Sequence, residues 1–111
     1  MLAELDSLWR AFPELRAELD PEGDEEPFLV LSDFAAHLMV ADKEALWRRA
    51  YAYINEVAEN QPSLQELLQL GIFETIWQDR ELTTRVKSHL RPVALALFEA
   101  AEATYAPRIE F

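Results

Sequence analysis

Residues 42–58, DKEALWRRAYAYINEVA, decide the fold class. Leu46, Ala50, Tyr53 and Val57 recur at spacings of three and four, and so do Trp47, Tyr51, Ile54 and Ala58. Side chains spaced in this way stack on one face of an α-helix. Two apolar stripes on one helix mean contact from two sides, so the segment is expected at the centre of a helical packing. Asp42 is read as its N-cap, because a short acceptor side chain can bond the free amides of a first turn made by Lys43, Glu44 and Ala45.

The same periodicity extends outward. Before this segment, Leu31, Phe34, Ala35 and Leu38 share a face of a helix that Pro27 can open at its first position. FLVL at 28–31 also suits a short extended segment with Ser32 as the following N-cap. Helix is preferred because no second strand is evident to pair with it. Further back, Leu2, Leu5, Trp9 and Phe12 form a stripe, Pro13 opens a second short turn carrying Leu15 and Leu19, and DPEGD at 20–24 is a loop.

After the central segment, Asn60-Gln61-Pro62 breaks the chain. Ser63 and Glu66 then match a capping box ahead of a helix carrying Leu64, Leu67, Leu68, Leu70, Ile72, Phe73, Ile76 and Trp77. Gly71 inside a helix costs about 1 kcal/mol relative to Ala, so it marks either a close neighbour or a break. Gln78 to Leu90 reads as a shorter, more exposed helix on Leu82, Val86 and Leu90. Pro92 opens a last one with Val93, Ala94, Leu97, Phe98, Ala101 and Tyr105, which Pro107 stops. With only two glycines in 111 residues, β-turns are poorly supplied. The expectation is one all-α domain over residues 1–111: a compact antiparallel bundle or HEAT-like array of about five to seven helices.

Composition removes several function classes. The chain has no cysteine, which excludes disulfides, thiolate metal sites and a cysteine nucleophile. No apolar run is long enough to span a bilayer. The start, MLAELDSLWRAF, lacks a basic leader region and carries Glu4 and Asp6, so a cytoplasmic location is expected. The net charge is −11, from 21 acids and 10 bases. That balance disfavours direct binding of nucleic-acid phosphates and of anionic membrane surfaces, and it steers basic partners inward. Residues 1–26 hold nine acids against two bases.

Recognisable chemistry is sparse. His37 and His89 are the only histidines; neither has a second histidine three or four residues away nor lies in H-E-x-x-H. Glu99 and Glu102 form an E-x-x-E pair without the Glu-x-x-His partners that a di-iron bundle requires. DPEGDEE at 20–26 is not an EF-hand loop: counted from Asp20, the glycine falls at position 4 and Leu31 at position 12. Ser7, Ser32, Ser63 and Ser88 lie in no G-x-S-x-G, Walker or dinucleotide motif and read as caps or surface. Trp9, Trp47 and Trp77 each fall in an apolar stripe and read as core. No enzyme, cofactor or metal is expected. The candidate contact residues are the acids Asp20, Glu22, Asp24, Glu25 and Glu26, with Asp79 and Glu81.

FLVLSDFAAHLMVADKEALWRRAYAYI at 28–54 and AFPELRAEL at 11–19 carry a family resemblance, and so do Leu67, Leu70, Gly71 and Glu74. The chain resembles a family of small, uncharacterised bacterial all-helical proteins marked by an LVL-x-D-F-A block. Such proteins are often suspected to be immunity proteins of toxin systems. The resemblance implies a protein partner, a bacterial toxin, and brings no catalytic residues with it; the acidic charge adds the expectation that the toxin is basic and is blocked sterically and electrostatically. The alternative expectation is an acidic DNA mimic or regulatory adaptor of phage or defence origin. A self-associating module is a third reading.

Overall fold

In the computed structural model the described residues are 5–105, with Tyr105 described by its backbone alone. Leu2, the Tyr105 side chain and Pro107 therefore lie outside them. Every regular element among these residues is helical. Leu5, Leu8 and Phe12 bury one side of α1 (Asp6–Ala11), the buried row taking Leu8 where the expected stripe takes the half-buried Trp9. A 3₁₀ turn at Pro13–Leu15 leads into α2 (Arg16–Leu19). Pro27 does open α3 (Pro27–Ala41), a position where its missing N–H costs nothing. The extended alternative for 28–31 falls with it.

At the end of α3 the capping expectation is corrected. Asp42 is the left-handed C-cap of α3 (φ 43°), its amide bonding the Leu38 carbonyl, and Lys43 stands at the N-cap of α4 (Glu44–Asn60) without a side-chain cap bond. Asp serves either position: it bonds amides at an N-cap, and its short side chain also tolerates the left-handed region. Both apolar stripes of α4 are used as expected. Trp47, Ala50, Tyr51, Tyr53, Ile54, Val57 and Ala58 are buried and Leu46 is half-buried.

The next stretch departs more. Ser63 lies inside a 3₁₀ turn, Pro62–Leu64, and no side-chain cap bond forms, so the capping box is not built. The chain then runs through α5 (Gln65–Leu67), a π-helical segment at Leu68–Phe73 and α6 (Glu74–Ile76). Gly71 sits in the π segment, against α3: a Cβ there would stand 2.7 Å from Leu31 Cβ. Its carbonyl takes hydroxyl hydrogen bonds from Thr75 (2.9 Å) and Ser32 (3.4 Å). The glycine thus answers to both readings, close approach and altered helix.

Asp79 caps the N-terminus of α7 (Arg80–Lys87), accepting from the Leu82 amide at 3.0 Å. Pro92 opens α8 (Pro92–Tyr105). Between them, buried Asn55 of α4 donates to the His89 carbonyl (3.4 Å) and accepts from the Arg91 amide (2.8 Å). One amide side chain so satisfies backbone groups on both sides of the α7–α8 turn. The result is an all-α bundle around one core, with a Cα radius of gyration of 13.1 Å. No helix among the described residues is long and apolar enough to cross a membrane.

Candidate protein-binding surface

The acidic loop is built around a carboxylate that it hides. Asp20 is 6% exposed and accepts a hydrogen bond from the Glu25 amide at 3.1 Å. Gly23 turns the chain at φ 77°, its amide bonding the Asp20 carbonyl. Asp20 is therefore corrected from contact acid to scaffold. Its folding inward leaves Glu22, Asp24, Glu25 and Glu26 exposed. Among the described residues no base forms an ion pair with any of these four. Glu26 is also the N-cap residue of α3, so the loop lies at the positive end of that helix's dipole, where carboxylates are favoured.

Asp79 and Glu81 are exposed too, but they belong to another place. They line a groove with Asp42, at the far end of α3. That helix has 15 residues, a length of about 22 Å at the usual rise. The structure thus gathers four of the seven expected acids at one end of α3 and two at the other, and buries the seventh.

Two features join these ends. The first is the outer side of α3, where Leu29 (44% exposed), Asp33, Ala36 and Val40 (87% exposed) follow one helical row. Phe28, 41% exposed, lies beside its start. The second is a groove of about 280 Å³ formed by Ala36, Met39 and Val40 with Thr75, Gln78 and Asp79. It shares Met39 and Asp79 with the groove that holds Glu81. The expected face of this helix, Leu31, Phe34, Ala35 and Leu38, does not include this row. The signal was present: Leu29, Ala36 and Val40 are apolar residues at helical spacing outside the Leu31–Phe34–Ala35–Leu38 face.

Beyond Asp42 lies a more enclosed pocket of about 360 Å³. Trp47, Tyr51 and His89 stack along it, with ring centroids 5.8 and 4.4 Å apart. The His89 Nδ1 lies 2.9 Å from the Arg85 carbonyl, which can only accept, so that nitrogen carries the proton. Arg85 covers the Trp47 ring at 5.3 Å and pairs with Asp42 at 3.2 Å, while Arg48 pairs with Glu44 at 3.1 Å. Burial pushes the Tyr51 phenol above its ordinary range. The Trp47 indole N–H is buried without an acceptor. The Arg85–Asp42 pair ties α7 to the α3–α4 turn at this pocket, whereas the Arg48–Glu44 pair lies within α4 on its rim.

The remaining polar groups have structural work. His37 faces Glu18 at 3.8 Å. Glu99 and Glu102 converge on the Lys87 ammonium at 3.7 and 2.9 Å, and the Glu102 hydrogen bond raises that lysine's pKa. Among the described residues no three His, Asp or Glu side chains are placed to hold a metal ion. Trp47 and Trp77 are buried and Trp9 is half-buried against the core. Comparison with known families, curated proteins and solved structures finds no match to this chain.

Proposed function

We propose that the chain is a stoichiometric inhibitor of a basic protein toxin, an immunity protein that acts by binding rather than turnover. The observation that carries this reading is the loop at 22–26, where four exposed carboxylates stand together and no base among the described residues forms an ion pair with them. A net charge of −11 adds a long-range field of the same sign. Such a surface speeds encounter with a basic partner and repels acidic ones. The LVL-x-D-F-A resemblance points the same way. A DNA mimic would draw on the same charge, but its carboxylates would follow the spacing of duplex phosphates instead of gathering in one loop.

The experiment is co-purification of the tagged chain from its own cells at low and high salt, with bound proteins identified. The expected result is one basic protein held at low salt and loosened at high salt. Recovery of nothing, or of the chain alone, contradicts the reading.

A further inference from the structure

We propose that the outer face of α3 is the docking site for an amphipathic helix of the partner, one whose apolar row ends in a cluster of lysine or arginine. This rests on the inhibitor reading and adds to it the shape of the occupant. Leu29, Ala36 and Val40 repeat at helical spacing on a face that no described residue covers, and Val40 at 87% exposed is the least covered large apolar side chain described. The groove of about 280 Å³ beside Val40 is large enough to seat a leucine-sized side chain.

Charge selects the occupant. At the start of the row stand Glu22, Asp24, Glu25 and Glu26, and Asp33 lies within it. At its far end Asp42 is already matched by Arg85. The face is thus apolar but for Asp33, and more strongly anionic at its start, with four exposed acids, than at its far end, where Asp79 and Glu81 stand. A partner helix lying antiparallel to α3 places its C-terminal turn, where basic residues are favoured, against the four acids at the start, and the two helix dipoles then oppose each other favourably. A second copy of this chain suits the face poorly, because association would bring together two bodies each carrying −11.

The probe is a synthetic helical peptide of about 15 residues, long enough to follow α3. It carries leucines at spacings of three and four and lysines at its C-terminal end. A second peptide of equal composition has the leucines scrambled. Affinities are measured by fluorescence anisotropy for the full chain, for Leu29→Glu, for Val40→Glu and for Val93→Glu, an equally exposed position on α8. Thermal melts confirm that each variant is folded. The patterned peptide is expected to bind better than the scrambled one, with Leu29→Glu and Val40→Glu each weakening it by about tenfold, and Val93→Glu leaving it unchanged. Equal binding of both peptides, or unchanged binding by folded Leu29→Glu and Val40→Glu, overturns the proposal. So does a dimer of the unmodified chain that Val40→Glu dissolves. Because these variants keep every loop acid, the docking face can fail while capture of a basic protein still succeeds.

Discussion

Helices α3 and α4 are the two long central elements, and they treat their outer sides in opposite ways. On α4 the polar side is tied into the molecule. Glu44 pairs with Arg48, and Arg49 reaches Glu14 (2.6 Å) and the Ala11 carbonyl (2.6 Å) while covering the Phe12 ring. Asn55 clamps the α7–α8 turn and Glu59 holds Arg91 at 2.8 Å. On α3 the inner side is as tightly engaged, with Val30, Phe34, Ala35 and Leu38 fully buried and Leu31 against Gly71. Its outer side carries Leu29, Ala36 and Val40 around Asp33, and no described residue covers it. A helix whose polar groups are consumed internally is scaffold; one that leaves apolar side chains in water has surface reserved for something else.

The inner side of α3 is the most sensitive place in the molecule. Gly71→Val drives a branched side chain into the Leu31 stem and is expected to cost about 3 kcal/mol of unfolding free energy, read by urea denaturation. A loss below a few tenths would show that α3 is not pinned there. Next is the α4 clamp. Asn55→Ala strands the partly buried His89 carbonyl and Arg91 amide, for a cost of about 1–2 kcal/mol in the same measurement.

Arg49→Gln should cost less, about 1 kcal/mol, and its signature lies in pH. The Arg49 hydrogen bond holds the Glu14 carboxyl down at about 2, against an ordinary value of 4.5. The unfolded chain therefore binds the Glu14 proton first as pH falls. The contribution is complete above pH 4.5 and drains away toward about 2. The gap in melting temperature between the parent and Arg49→Gln should narrow over that window, whereas a constant gap would remove the ion pair from the account. Smallest is Val40→Glu, expected to change stability by less than about 0.5 kcal/mol. A larger loss would mean that Val40 is covered in solution and that the two helices do not differ as described.

The fold was largely legible, because helical periodicity records burial. Both α4 stripes, the helix-opening prolines 27 and 92, and the tight place at Gly71 stand in the sequence as they stand in the molecule. Caps were not legible, since Asp42 and Asp79 offer the same side chain and only the path of the chain assigns one to a C-cap and the other to an N-cap. The π segment left no signal beyond its glycine, since its extra residue shifts a register that leucines on every side do not define. The acids were visible as residue types but not as places. Asp20 turns inward on a bond to a backbone amide five residues on, and Asp79 and Glu81 are parted from the loop by the length of a helix.

On the proposed function, the exposed loop carboxylates draw in a basic partner. The most direct measurement of this is the association rate of the captured basic protein with the chain, and with a variant carrying Glu22→Gln, Asp24→Asn, Glu25→Gln and Glu26→Gln, across a range of salt. Association of the variant is expected to be slower by about tenfold at low salt and to depend less steeply on salt, with dissociation little changed. Equal rates and equal salt slopes for the two proteins would contradict it.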